Sequence, residues 1–280
     1  MSGRLEQCTQ ELQAAGRCGI APYLTAGDGG LDRTIELLRA LERVGAACVE
    51  LGVPFSDPIA DGPILQAAAQ RALAEGTTLE RVLDCVREFR STGGQLPIAL
   101  FTYANPLIGP RAGSLVARWR AACAALQEAG VDGLLVPDIP VEEGGEMGSA
   151  AQEHGLCPIF FVAPTTSPAR MVQAAEASSG FLYAIGRTGT TGARAELGQD
   201  TLDFLTAIRG ATKLPIGVGF GIRDEDQVRT VSNHAELAIV GSALVQHVHE
   251  AALRSSTSPT IAAVEAAEQF IVQLQKGIQS

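Results

Sequence analysis

The chain has 280 residues, 46% of them hydrophobic, so it can bury a large core, and α/β folds of this length commonly form one domain. Its net charge of −10 is spread along the chain without a basic block, which argues against nucleic acid as a partner. The polar amino terminus, and the lack of an apolar run long enough to span a bilayer, predict a cytoplasmic protein with no membrane partner.

Eight short apolar runs rich in β-forming residues are predicted to be strands: 20–24, 48–53, 97–103, 133–137, 158–162, 181–185, 214–218 and 237–240. A helix is predicted before them at 5–15, amphipathic helices such as 31–44 lie between them, and the last helix is predicted at 261–275. A longer connection after the second strand carries extra structure.

Strict alternation of strands and helices requires parallel pairing, so the candidate folds are a doubly wound sheet and a closed barrel. Eight units favour the barrel. We therefore predict a (β/α)₈ TIM barrel with an extra N-terminal helix, forming a single domain over residues 1–280. The active site of such a barrel lies where the strands end and the βα loops begin.

The second apolar run contains a carboxylate, Glu50, on the same strand face as Cys48 and Gly52. We expect its side chain to point into the barrel. Burial would raise the pKa of this carboxyl group, so that it could both donate and accept a proton near neutral pH. The alternative is a structural glutamate paired with a neighbouring side chain.

The loop after that run, residues 54–63, is stiffened by prolines on both sides of Asp57 and by another after Asp61. It is long enough to fold back over the strand end, so Asp61 and Glu50 could face one substrate from different sides. Capping of a turn is the alternative role for either aspartate.

Glycine-rich loops follow the last three predicted strands, at 189–192, 219–221 and 241–242. Glycines allow backbone N–H groups to approach a phosphate, and TIM barrels commonly build a phosphate site from the loops after strands seven and eight. The pattern predicts a phosphorylated substrate, although glycines that only form tight turns would look the same.

The chain offers few groups for metal or Schiff-base chemistry. Its six cysteines are far apart and form no Cys-x-x-Cys pair, and His247 and His249 do not share a helix face, so we expect no metal site. The only lysines, Lys213 and Lys276, do not lie at a strand's carboxyl end. Carbon–carbon cleavage would then need a different electron sink, such as an indole ring protonated at C3, for which acid–base groups suffice.

The stretch from Glu50 to Pro63, ELGVPFSDPIADGP, closely resembles the signature of tryptophan synthase alpha subunits. The resemblance covers nearly the whole chain, through PYLTAGD at 22–28, YANP at 103–106, PDIPVEE at 137–143, RTGTTG at 187–192, GFG at 219–221 and GSA at 241–243. It implies a lyase that cleaves indole-3-glycerol phosphate into indole and glyceraldehyde 3-phosphate during tryptophan biosynthesis.

The resemblance also implies roles for individual residues. Glu50 resembles the acid–base residue that protonates indole C3, and Asp61 the aspartate that binds the indole N–H and stabilises the charge developing there. The other implied positions are substrate-binding Tyr23, Tyr103, Tyr183 and the loop residue Thr191, and phosphate-binding Gly192, Phe220, Gly221, Gly241 and Ser242.

The family further implies a partner, a beta subunit that receives indole through a tunnel in an alpha2beta2 complex. The segment with Pro54, Asp57 and Pro58 resembles the part that contacts this subunit. Pyridoxal phosphate is expected in the beta subunit, and no cofactor is expected in this chain.

Departures from the family pattern are few: Tyr23 stands where phenylalanine is common, Gly29 where proline is common, and residues 235–238 replace a more usual Ala-Asp-Gly. The Tyr23 hydroxyl would alter the indole pocket. Two other functions stay open at this point, a stand-alone lyase that releases indole and a non-catalytic module that only activates a beta subunit. The retention of both carboxylates argues against the second.

Overall fold

A computed structural model describes residues 3–110, 112–186 and 199–278. The strands in these ranges are β1 Gly19–Thr25, β2 Val49–Gly52, β3 Ile98–Phe101, β4 Gly133–Leu135, β5 Cys157–Ile159, β6 Phe161–Val162, β7 Leu182–Ile185, β8 Ile216–Gly219 and β9 Leu237–Val240.

The helices in the same ranges are α1 Arg4–Ala14, α2 Leu31–Arg43, α3 Pro63–Ala74, α4 Leu79–Ser91, α5 Ala104–Ile108, α6 Leu115–Ala129, α7 Gly145–Glu153, α8 Pro168–Ala177, α9 Gln199–Ala211, α10 Glu225–Ser232, α11 Ser242–Arg254 and α12 Pro259–Gln275. The extra structure predicted after the second strand is α3, which precedes α4 in that connection. No helix in the described ranges is both long and apolar enough to cross a membrane.

All strand pairs are parallel, and their order is β5-β4-β3-β2-β1-β9-β8-β7-β6. The two ends of this order, β5 and β6, are separated in the chain by the single residue Phe160, so the sheet curls into a nearly closed barrel. The predicted parallel TIM barrel with its N-terminal helix is confirmed.

The number of strands differs from the predicted eight because the predicted strand 158–162 is interrupted at Phe160. The Phe160 N–H donates to the Ser178 hydroxyl oxygen at 3.0 Å instead of to a neighbouring strand. Its carbonyl still accepts from the Tyr183 N–H at 3.1 Å, which keeps the two halves beside β7. Around the barrel, β5 and β6 thus occupy one strand position.

Side chains alternate between two apolar layers, as the two-residue period of a strand requires. Leu51 and Ile98 point outward and pack against the surrounding helices, in the larger core. Cys48, Ala99 and Leu237 point inward and fill the barrel interior, in a separate cluster. On β2 the inward positions are therefore 50 and 52, and Cys48 just before the strand points the same way.

The helix α1 packs against the amino ends of the strands. Leu5 is fully buried in the interior cluster, and the Thr9 hydroxyl donates to the Gly180 carbonyl at 2.8 Å. Arg4 and Arg90 both bind the buried carboxylate of Asp132, at 2.9 and 2.8 Å. These contacts attach α1 firmly to the barrel.

Candidate active site

A cavity of about 300 Å³ lies at the carboxyl ends of the strands. It is lined by strand ends and by the loops that follow them, in the described residues Tyr23, Glu50, Ala60, Asp61, Gly62, Leu65, Phe101, Pro137, Phe161, Tyr183, Ile185, Gly186, Gly219, Gly221, Ile239, Gly241 and Ser242. Both predicted catalytic carboxylates are present, and the described lining contains no lysine.

Glu50 points into this cavity from β2, between Tyr23 on β1 and Ala99 on β3. Only 1% of it is exposed, and burial raises the pKa of its carboxyl group to about 8. The Tyr183 hydroxyl donates to Glu50 Oε2 at 3.4 Å and opposes part of that rise. Glu50 Oε1 is buried and has no hydrogen-bond partner among the described residues. Glu50 is thus mostly protonated at neutral pH, and one of its oxygens is buried without a hydrogen-bond partner among the described residues.

Asp61 reaches the cavity from the loop between β2 and α3. Burial raises the pKa of its carboxyl group to about 6, and a hydrogen bond from Tyr103 partly offsets the rise. The Tyr103 hydroxyl also accepts a hydrogen bond from the Ala60 N–H at 3.0 Å, and its ring packs on Phe55 with centroids 5.2 Å apart. Tyr103, predicted to bind substrate, lies outside the cavity lining and instead holds the loop that carries Asp61.

Four aromatic rings form a continuous wall. The centroid distances are 5.9 Å from Tyr23 to Phe101, 6.1 Å from Phe101 to Phe161, and 4.9 Å from Phe161 to Tyr183. Sequence reasoning selected the two tyrosines and missed Phe101 and Phe161. Both lie at inward positions near the ends of apolar runs, so the two-residue period could have identified them.

Two of the glycine-rich loops, those after β8 and β9, meet at the other end of the cavity. Gly221, Gly241 and Ser242 line it, and Ser242 begins the 13-residue helix α11, whose positive end therefore borders the cavity. Gly221 has a φ of 75°, a conformation that favours glycine. Phe220, predicted beside the phosphate, is outside the lining and packs against Phe204 with centroids 6.2 Å apart.

Two predicted site residues, Thr191 and Gly192, lie outside the described residues.

The predicted partner-contact segment is divided between buried and exposed residues. Pro54 is buried within this chain, Pro58 is half-buried, and Asp57 is exposed and accepts a hydrogen bond from the Ser56 hydroxyl at 2.5 Å. Ile59, which sequence reasoning did not select, is 82% exposed. The accessible part of the loop is thus an aspartate beside an apolar side chain.

The arrangement is that of a proton donor and an anion in one cavity. Different environments separate the pKa values of the two carboxyl groups, so that near pH 7 Asp61 is mostly ionised while Glu50 is mostly protonated. No group of three or more metal-ligating side chains is found within the described ranges, and all six cysteines are free thiols. The cavity therefore suits a reaction in which one group transfers protons and a nearby anion stabilises positive charge.

Comparison with known proteins gives one consistent result. Residues 9–275 match the family model of the tryptophan synthase alpha chain. The tryptophan synthase alpha chain of Burkholderia thailandensis is 44% identical over 98% of this chain and 96% of its own, and that of Alkalilimnicola ehrlichii is 46% identical over 88% and 87%.

Solved structures give the same result. The tryptophan synthase subunit alpha of Legionella pneumophila has a TM-score of 0.87 and 31% identity, covering 100% of this chain and 99% of its own. A chain of the tryptophan synthase a2b2 complex of Pyrococcus furiosus has a TM-score of 0.83 and 35% identity, covering 93% and 98%.

Proposed function

Because the chain belongs to the tryptophan synthase alpha chain family, we propose that it cleaves indole-3-glycerol phosphate into indole and glyceraldehyde 3-phosphate, with Glu50 and Asp61 as its catalytic groups. The observation that carries the assignment of residues is that Glu50 and Asp61 line one cavity, where burial raises the pKa of each carboxyl group. At the pH where a metabolic enzyme works, protonated Glu50 can donate a proton and the ionised Asp61 can stabilise a positive charge.

In the first step, protonated Glu50 transfers its proton to C3 of the indole ring. The electron pair of the C2–C3 double bond forms the new C–H bond, and the nitrogen lone pair forms a C2–N1 double bond, which leaves a positive charge on the ring. The Asp61 carboxylate accepts a hydrogen bond from N1–H and stabilises this charge.

In the second step, the Glu50 carboxylate removes the proton from the hydroxyl group on the side-chain carbon attached to C3. That carbon becomes the aldehyde carbon, the bond to C3 breaks, and its electron pair restores the aromatic ring. Glu50 finishes protonated, so it acts as both acid and base without a net loss of protons. Its Oε1, which has no hydrogen-bond partner among the described residues, has the capacity to accept a hydrogen bond from this hydroxyl.

The phosphate is assigned to the end of the cavity formed by Gly221, Gly241 and Ser242. The amino end of α11 attracts an anion there through its backbone N–H groups and helix dipole. Glu50 and Asp61 lie on other elements of the same cavity, which leaves the indole ring against the aromatic wall. Tyr23 and Tyr183 belong to that wall, and Tyr103 acts as a positioning residue for Asp61.

The indole product passes to a partner. The Pyrococcus furiosus neighbour is part of an a2b2 complex, and we assign a beta subunit to this chain as well. Exposed Asp57 and Ile59, with half-buried Pro58, form the surface proposed to contact it. The pyridoxal phosphate of the overall synthesis then belongs to the beta subunit, this chain works without a cofactor, and the reaction takes place in the cytoplasm.

The test is indole release by the purified chain, alone and with a beta subunit. We expect slow turnover alone, a large rise with the partner, and a loss of at least about 100-fold in Glu50→Gln and in Asp61→Asn. Glu153→Gln, which alters an exposed glutamate paired with Arg120 far from the cavity, is the matched control and should retain wild-type turnover. Full activity in Glu50→Gln would contradict the assignment, and fast turnover without a partner would instead identify a stand-alone lyase.

A further inference from the structure

The hydroxyl group of Tyr23 occupies an unusual place in the cavity wall. Tyr23 lies on β1 opposite Glu50, but its ring reaches over β2 as far as Gly52. A Cβ atom at Gly52 would be only 2.0 Å from Tyr23 Oη. The missing side chain of Gly52 is thus what makes room for the Tyr23 hydroxyl.

The ring of Tyr23 is held on more than one side. Phe101 packs edge-to-face against it, with an interplanar angle of 85°, and the Gly52 backbone lies directly under the hydroxyl. Only 6% of Tyr23 is exposed. A ligand in the cavity therefore cannot displace this hydroxyl without moving either Phe101 or the strand β2.

The hydroxyl also lies within the electrostatic influence of both catalytic carboxyl groups. Burial raises the pKa of Tyr23 well above its ordinary value, and the negative charges of Asp61 and, to a smaller extent, Glu50 raise it further. Within the described residues, the Tyr23 hydroxyl makes no hydrogen bond to either carboxylate. It is a neutral, protonated group near enough to both for their charges to act on it, and a hydrogen bond with Thr25 on the same strand opposes part of the rise in its pKa.

We propose that Tyr23 is a specificity-determining residue whose hydroxyl closes the cavity against substituents at C2 of the indole ring. The proposal rests on the proposed function, in which Asp61 binds N1–H and Glu50 protonates C3. C2 is the ring atom bonded to both N1 and C3, so it faces the wall between the two carboxylates. Gly52 lies two residues and roughly 7 Å beyond Glu50 along β2, at the end of the strand from which the loop with Asp61 continues.

A hydrogen at C2 can face the Tyr23 hydroxyl, whereas a methyl group would collide with an oxygen that has no room to withdraw. Carbon C5, on the benzene half of the ring, points away from the N1–C2–C3 edge and does not meet this group. Replacing Tyr23 with phenylalanine removes the oxygen and keeps the ring against Phe101. The variant should then accept a C2 substituent without a general change in the pocket.

The experiment follows the reverse reaction, the condensation of glyceraldehyde 3-phosphate with indole, 2-methylindole or 5-methylindole. For the wild type we expect kcat/KM for 2-methylindole to be at least about 10-fold below that for 5-methylindole, the discrimination usual for one methyl group in a tight pocket. In Tyr23→Phe, kcat/KM for 2-methylindole relative to that for indole should rise about 10-fold. The value for 5-methylindole relative to that for indole should change by less than about twofold.

Tyr183→Phe is the matched control, because it removes the other wall hydroxyl, which binds Glu50 instead of covering Gly52. It should change the rates with all three indoles by the same factor. Equal use of 2- and 5-methylindole by the wild type would overturn the proposal without any variant, as would an unchanged 2-methylindole ratio in folded Tyr23→Phe. Failure of the wild type to condense unsubstituted indole would instead overturn the proposed function, and this inference with it.

Discussion

The pH dependence of kcat/KM should be a bell whose two limbs belong to different residues. The rising limb reports ionisation of Asp61, near pH 6, and the falling limb reports deprotonation of Glu50, near pH 8. Each carboxylate accepts a hydrogen bond from its own tyrosine, Tyr103 for Asp61 and Tyr183 for Glu50. Removing one hydroxyl should therefore move one limb.

The direction of each shift depends on whether the hydrogen bond stabilises the protonated or the ionised carboxyl group. Each tyrosine stabilises the ionised carboxylate, so its loss raises that carboxyl group's pKa and moves the limb to higher pH. Hydrogen bonds to charged groups contribute about 1.5–3 kcal/mol, and the Tyr183 bond of 3.4 Å is long enough to lie at or below the lower end. Since 1.36 kcal/mol corresponds to one pKa unit, we expect the falling limb of Tyr183→Phe to move to higher pH by at most about one unit.

The assay is indole release from indole-3-glycerol phosphate at low substrate concentration between about pH 5 and 10, because kcat/KM reports the free enzyme. Tyr103→Phe is the paired variant: its rising limb should move to higher pH, and its maximal rate should also fall because the Ala60 N–H loses its acceptor. A shift of the rising limb in Tyr183→Phe, or a shift of its falling limb to lower pH, would contradict these assignments.

Three other substitutions test the floor, the wall and the phosphate end of the barrel. Asp132→Ala leaves two arginines without their buried carboxylate and should lower the free energy of unfolding by about 3 kcal/mol in urea titrations, whereas Glu153→Ala, in an exposed ion pair, should leave the midpoint almost unchanged. Gly219→Ala places a Cβ 2.7 Å from Tyr183 Oη and should lower kcat/KM by about 10-fold or more while the circular dichroism spectrum stays that of the wild type. Ser242→Asp puts a negative charge at the start of α11 and should raise KM for the phosphorylated substrate by about 10-fold or more. An equal effect on condensation with unphosphorylated glyceraldehyde would show that Ser242 does not bind the phosphate.

Much of the fold could be predicted from local patterns. The apolar runs and their alternation with helical segments indicate a parallel barrel, because strands buried on both faces read as continuous apolar sequence. The interruption at Phe160 could not be predicted, since it depends on a hydrogen bond from the Phe160 N–H to Ser178, a residue beyond α8 whose position is set by tertiary packing. No pattern inside 158–162 reveals that partner.

The candidate site, too, could be predicted only in part from the sequence. The inward direction of Glu50 follows from the two-residue period of β2, and the structure places it there. The path of the 53–62 loop is not periodic, so sequence reasoning could not separate buried Pro54 from exposed Ile59. Nor could it show that Tyr103 lies behind Asp61, because that depends on where the loop folds back over β3.

Tyr23 and Tyr183, the two tyrosines of the aromatic wall, are accommodated in the barrel in the same way. The hydroxyl of Tyr23 lies over Gly52 on the next strand, and that of Tyr183 lies close to Gly219, also on the next strand. Gly52 and Gly219 are the last residues of β2 and β8 and point inward, where the sheet itself does not require glycine. In each case it provides the space that lets a large ring cross to its neighbour.

Glu50 lies between these two tyrosines, on the strand that Tyr23 crosses and within reach of the Tyr183 hydroxyl. A side chain at Gly52 or Gly219 would therefore act first on a tyrosine and only through it on the carboxyl group. For this reason we expect substitutions at the two glycines to differ in kind. A change at Gly219 should alter the acid–base behaviour of Glu50, whereas a change at Gly52 should alter which indoles the cavity accepts.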